Sequence, residues 1–215
     1  MKILAVDLST ARASLAFFDG SESAEPAPIA AHECVWPNDR KNSGPFFENL
    51  QRILREFGLP TKIVVGLGPG SYAGIRIAIS AAIGLEVAAR AELAGYPSVC
   101  AIPGQDDEYI VIGDARRNSF FFVKIKNRTV AGDYELLSEE ELRERIEQHP
   151  GARIVSSDLL PQFQTRVEQA YPLAEILGQL AAEKGRSFVG PPLEPIYLRE
   201  ANVTMPKPMM RGPNR

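Results

Sequence analysis

The chain has 215 residues, of which 45% are apolar and 24% charged, with a formal net charge of -3 and a pI of about 5.6. These values suit one large or two small globular domains with a real core. They argue against a free-standing nucleic-acid binder, which concentrates basic charge, and the opening MKILAVDLST, with Asp7 early in its apolar run, reads as neither a signal peptide nor a membrane span.

Lys2 to Leu8 reads as a buried strand and Ala13 to Phe18 as a second, with Asp19-Gly20 supplying turn chemistry. Ile29 to Trp36 is a third strand, stopped by Pro37. Ser43 is placed to cap a helix whose Phe46, Phe47, Leu50, Ile53, Leu54 and Phe57 share one face, and Gly58 ends it. Lys62 to Leu67 is a strand of the fully buried type. A glycine loop follows, then a long helix to about Ala94 that Gly95 stops, and Ser98 to Ile102 reads as another strand.

Pro103 to Asp107 is a polar break and the expected domain boundary. After it come strands over Tyr109 to Gly113 and Ser119 to Lys126. Ser138 with Glu141 forms a capping box opening a helix to about Gln148, Arg153 to Ser156 is a short strand, and Leu173 to Lys184 is helical. The expected division is residues 1–102, 103–200 and a disordered basic tail over 201–215. Cys34 and Cys100 lie far apart in apolar runs with no CxxC spacing. They read as buried free thiols in a reducing compartment, which places the protein in the cytosol.

The two halves begin alike. ILAVD, a turn and ASLAFF are matched by IVIGD, a turn and SFFFVK, with Asp7 and Asp114 ending the first strand of each copy. A carboxylate at a strand end beside free backbone N–H groups can organise a cation and phosphates, and two facing copies make a cleft. This is the logic of the actin, sugar kinase and heat-shock ATPase fold. Each Asp can equally serve only its own turn.

Gly68-Pro69-Gly70-Ser71-Tyr72-Ala73-Gly74-Ile75-Arg76 joins a buried strand to a helix, with Ser71 placed to cap it. A helix start attracts anions, but the loop holds no lysine and is neither Walker A nor GxGxxG, so a tight structural turn explains it at least as well. From Ile75 to Ala89 only Arg76, Ser80 and Glu86 are not apolar. A helix apolar nearly all round is covered on more than one side. Its small residues predict one face on the home sheet and another on a second lobe or a second chain. At fifteen residues the apolar stretch is too short for a membrane span.

Four segments in order, ILAVDLSTARASLAFFDG, GLGPGSYAGIRIAISAAIGL, IGDARRNSFFF and PIYLR, resemble the TsaB/YeaZ family and span most of the chain. The resemblance implies an α/β actin-like (ribonuclease H-like) duplicated fold of two lobes. It implies a scaffold with a degenerate site, whose partners are a TsaD-like catalytic subunit carrying the metal and a TsaE-like ATPase. Together these place threonylcarbamoyl on an adenosine of tRNA, and family members also self-associate through the helical face of the first lobe. The sequence departs from the family where Ser71-Tyr72-Ala73 replaces Ser-Phe-Thr, where Asn42-Ser43 replaces His-Ser, and where Cys100 to Tyr109 is too short for a helix.

The expectations are therefore specific. Asp7, Thr10 and Asp114 form a vestigial nucleotide site; Gly68, Gly70, Ser71, Gly74 and Arg76 form the glycine loop; and Phe46, Leu50, Ile75, Ala78, Ala81, Ala82 and Leu85 form a protein interface. No catalytic residue, metal or cofactor is expected, and tRNA is contacted only through the complex. The alternative is an active nucleotide-binding enzyme of the actin and sugar-kinase group. A peptidase has little to work with, because His32 and His149 are far apart with no HExxH or HxxxH spacing.

Overall fold

The structure, a computed structural model, describes residues 1–20, 30–39 and 43–199. The start of the strand expected from Ile29, the Asn42 position and the tail from 201 lie outside the described residues.

The first sheet contains β1 (Lys2–Asp7), β2 (Arg12–Asp19), β3 (His32–Pro37), β4 (Lys62–Gly66) and β5 (Glu92–Tyr96), in the order β3-β2-β1-β4-β5. The second contains β6 (Glu108–Asp114), β7 (Phe120–Lys126), β8 (Thr129–Leu137), β9 (Ile154–Ser156) and β10 (Glu168–Gln169), in the order β10-β9-β6-β7-β8. Read from the other edge, the second order is the first repeated. The senses repeat too: β1 is antiparallel to β2 and parallel to β4, and β6 is antiparallel to β7 and parallel to β9. The strand-Asp-turn-strand likeness in the sequence is thus the start of a duplicated five-stranded fold of two lobes.

Helices complete the layers. α1 (Gly44–Phe57) and α2 (Tyr72–Ala89) cover one face of the first sheet, where Leu4, Val6, Leu15, Phe17, Ile63 and Val65 meet Phe46, Leu50, Ile53, Ile75, Ala78 and Ala82. The other face, with Ile3, Ala5, Ala16 and Phe18, meets α4 (Ala174–Ala182) and the 3-10 turn Ser98–Ala101, and beyond them Tyr109, Val111, Phe121 and Val123 of the second sheet. α3 (Glu139–Glu147) covers the far face of that sheet through Leu142 and Ile146. The α4 chain comes close enough to the first sheet that a Cβ on Gly178 would lie 2.0 Å from the Phe18 ring. Its first amide, Ala174 N, donates to the buried Ser14 hydroxyl at 2.8 Å. A segment far along the chain thus returns to the first sheet.

Several local expectations change. α2 ends at Ala89 with Arg90 as a left-handed cap, and the residues after it form β5, parallel to β4. Gly95 is therefore not a helix stop. It is a strand position roofed by Leu67, whose Cδ1 would lie 2.7 Å from an added Cβ. A buried parallel strand carries the same unbroken apolar run as a buried helix, which is why pattern alone extended the helix. Ser98–Ala101 is a 3-10 turn rather than a strand. β8, polar and largely exposed as an edge strand, carried no readable alternation. Ser43 sits at the start of α1 but its side chain makes no cap bond, whereas the Ser138–Glu141 capping box of α3 is complete. Both cysteines are free, but only Cys100 is buried, which pushes its thiol up to about 12; Cys34, expected to be buried, is half-buried on β3.

Candidate functional site

A cleft of about 450 Å³ lies between the lobes. The first lobe gives it Ser9, Thr10 and the loop from Pro69 to Ala73; the second gives Asp114, Arg116, Ser157 and Asp158; and the chain from Ile196 to Arg199 forms a further wall.

Asp7 is not in it. Its side chain is fully buried. Oδ1 accepts from Ser9 N at 2.9 Å and from Ser9 Oγ at 2.6 Å, an Asx-type turn closing the β1–β2 hairpin. The carboxylate fills the space over Gly66 on the neighbouring strand, where a Cβ would lie 1.9 Å from Oδ2. Oδ2 has no well-aligned hydrogen bond among the described residues; the Ser98 hydroxyl beside it accepts from Gly68 N at 2.9 Å and leaves its own proton free to turn toward the carboxylate. Burial raises the Asp7 carboxyl above its usual range, against the lowering effect of the Ser9 bonds and of the adjacent Ser98 hydroxyl. The expectation that Asp7 belongs to a nucleotide subsite is corrected: the residue is sealed beneath the hairpin and cannot reach a ligand in the cleft.

Thr10 does line the cleft, yet its hydroxyl donates to the Arg12 carbonyl at 2.9 Å as part of the same turn. Asp114 lines the cleft and is half-exposed. Oδ1 accepts from Arg116 N at 2.7 Å, and Oδ2 pairs with the Arg116 guanidinium at 3.0 Å. Both of its oxygens therefore face its own turn. Asp158, which sequence reasoning did not single out, accepts from Asp114 N through Oδ2 at 2.9 Å. It follows β9 at the position that the glycine loop occupies after β4, so only the lobe-to-lobe correspondence could have pointed to it.

The glycine loop is packed against the hairpin rather than held open. Ser71 N donates to Ser9 O at 2.6 Å. A Cβ on Gly70 would lie 2.1 Å from Ser9 O, and one on Gly74 would lie 2.1 Å from Leu8 O. Gly68 has φ +90°, a left-handed conformation that favours glycine. Ser71 caps α2 as expected, its Oγ accepting from Gly74 N at 3.2 Å. These glycines are explained by close backbone approach. Arg76 folds back on the loop: its guanidinium stacks on Tyr72 at 3.9 Å, and its Nε donates to the Tyr197 hydroxyl at 2.7 Å.

The expected interface is half-corrected. Phe46, Leu50, Ile75, Ala78 and Ala82 all point into the first-lobe core, so they cannot meet a partner. Ala81 and Leu85 are half-buried at the border. The outward face of α2 carries Ser80, Ile83, Gly84, Val87 and Ala88, with Ile83 45% and Val87 76% exposed. On α1 the large apolar residue that faces outward is Phe47, also half-exposed. The helix has 18 residues, and by length and composition alone it could cross a membrane, but Gly74, Ile75, Ala78, Ile79 and Ala82 lie in the protein core.

The cleft lining contains no histidine or cysteine. His149 Nδ1 contacts the Arg145 carbonyl at 2.8 Å and its ring packs on Phe122, while His32 sits on β3 beside Arg52. Among the described residues no three metal-binding side chains cluster.

No protein-family model matches the chain, and no curated protein matches it. Its fold is that of two solved proteins from Pseudomonas aeruginosa. One, described as uncharacterized with similarity to peptidase YeaZ, is 20% identical with a TM-score of 0.68, covering 92% of this chain and 99% of that one. The other, YeaZ itself, is 19% identical with a TM-score of 0.63, covering 84% of this chain and 91% of that one.

Proposed function

We propose that this protein is a TsaB-like partner subunit in threonylcarbamoyl modification of tRNA, non-catalytic itself, and that it docks a TsaD-like catalytic subunit through the outer face of α2. The observation that carries this reading is the exposed apolar stripe of that helix. Ile83 and Val87 stand open between the small residues Ser80, Gly84 and Ala88, on an element whose opposite face is locked in the core. Small residues let a partner backbone approach closely around two apolar anchors, and such a surface is costly to leave wet. The fold likeness over nearly the whole chain and the resemblance of the four ordered segments support the family reading.

The cleft supports a subunit without chemistry of its own. Asp7 is buried, Thr10 and Asp114 serve their own turns, and the glycine loop is seated on the hairpin. The peptidase in the description of the neighbour would need a nucleophile with a base or a metal site; Ser71 caps a helix, and no histidine lines the cleft.

Reconstituted modification of tRNA with TsaD-like and TsaE-like components tests the reading. Product formation should require this chain and should survive Asp114→Asn and Thr10→Ala. Transfer of the group, or steady ATP turnover, by this chain alone would contradict it.

A further inference from the structure

Between Val189 and Arg199 the chain runs without helix or strand beyond one isolated antiparallel bridge at Val189, yet it is fastened to both lobes. On the first lobe, Gly95 N donates to Val189 O at 2.8 Å and Val189 N returns a bond to Gly95 O at 3.0 Å. Leu193 is buried in the core beneath α2. Ile196 N donates to Leu67 O at 2.8 Å, at the residue that opens the glycine loop. Tyr197 takes the Arg76 bond at 2.7 Å and packs its ring on Tyr72 at 5.5 Å. Two residues on, the segment reaches the second lobe. Leu198 packs on the core between the sheets, and the Arg199 guanidinium donates to the Ser119 hydroxyl. Ile196 to Arg199 form a wall of the cleft.

The far attachment point is itself unusual. Ser119 closes a turn in which Arg116, Arg117 and Asn118 all have positive φ, at 66°, 55° and 56°. Three successive non-glycine residues in this region cost on the order of 1 kcal/mol each and persist only where surrounding contacts hold them. The holding contacts include Ala115 N to Ser119 O at 2.9 Å, Ser119 N to Arg116 O at 3.2 Å, Arg116 N to Asp114 at 2.7 Å, and Arg199. The Arg199 Nε is buried with no partner among the described residues, so the side chain is kept in the wall despite an unmet donor.

We propose that residues 189–199 are an interlobe tie that fixes the width of the cleft and holds the left-handed turn in place. A cleft between two lobes ordinarily closes on a ligand by hinge motion. Here the wall of the cleft is a strap bonded on both sides, so the aperture is set by the chain itself. The partner role of α2 plays no part in this inference.

The test uses the full-length chain and two variants that cut the same bond from opposite ends, Arg199→Ala and Ser119→Ala. Amide exchange at Ala115 and Ser119 should rise about tenfold or more in both, as expected for loss of a charge-assisted hydrogen bond from a local opening reaction. The Gly95 and Val189 amides should keep their protection. Spin labels at Glu56→Cys and Glu140→Cys, in a Cys34→Ser background, should give one narrow interlobe distance that broadens in both variants. Unchanged exchange at the turn, an equal rise at Gly95 and Val189, or a distance distribution that stays narrow in the variants would each overturn the proposal.

Discussion

The two copies of the strand-turn-strand unit share a topology and differ in what they do with their aspartate. In the first, Asp7 lies fully buried over Gly66 and is spent on Ser9. In the second, Asp114 is half-exposed at the cleft and paired with Arg116, with Asp158 beside it. Duplication preserved the path of the backbone, because strand order and pairing are fixed by the apolar pattern on each face. It did not preserve a pair of facing carboxylates. One became part of the core and the other the anchor of a surface turn. The lesson is that an aspartate at a strand end reports the fold before it reports a reaction.

The largest expected effect lies in the sealed copy. Gly70→Ala places a Cβ against the Ser9 carbonyl, a backbone atom that cannot move aside, and should cost about 2–4 kcal/mol in denaturant unfolding. Gly84→Ala, where nothing lies within 4 Å, is the control. It should stabilise α2 by about 0.5–1 kcal/mol.

Next comes the direct contrast of the two acids. Asp7→Ala leaves the buried Ser9 N–H without its acceptor, and should cost about 1–3 kcal/mol. Asp114→Ala breaks an ion pair whose side chains are 65% and 36% exposed and frees the Arg116 N–H, which water can reach at this exposed turn, and should cost about 1 kcal/mol, less than Asp7→Ala. Equal costs, measured by urea midpoints at constant m-value, would break the comparison.

A smaller effect separates them by pH. The folded-state pKa of Asp7 is raised above 3.8, so the acid contributes fully below the unfolded value. That contribution is lost as pH rises through the folded value. Asp7→Asn is always neutral and escapes this loss. Its stability relative to the wild type should therefore improve from about pH 4 upward and level off once the pH has passed the folded value, as read from thermal midpoints across the range. A constant difference would mean that the buried carboxyl does not change charge in that window.

Much of the fold was legible because its signals are local. The β1–β2 hairpin, the α1 stripe ending at Gly58, the Ser71 cap and the Ser138–Glu141 box each depend on a few neighbouring residues. β5 was hidden because a buried parallel strand and a buried helix share one unbroken apolar run. The direction of α2 was hidden for a related reason: a helix apolar on every side has no period to read, so Ala78 and Ala82 looked as eligible for a partner as Ile83 and Val87. The cleft was legible in part from each lobe, through Thr10, Gly70 and Ser71 on the first and Asp114 on the second. Asp114 ends a readable strand, whereas Asp158, Tyr197 and Arg199 reach it by tertiary return of the chain from well beyond the second-lobe hairpin.

The claim that the outer face of α2 is the functional surface has one decisive measurement, which is the mass by light scattering of this chain mixed with a TsaD-like subunit. Wild type and Ala88→Ser should form a discrete complex. Val87→Glu should stay folded, with stability within about 0.5 kcal/mol because its site is open to solvent, and should leave the two proteins separate. A Val87→Glu protein that still assembles at wild-type strength would place the docking surface elsewhere and contradict the account.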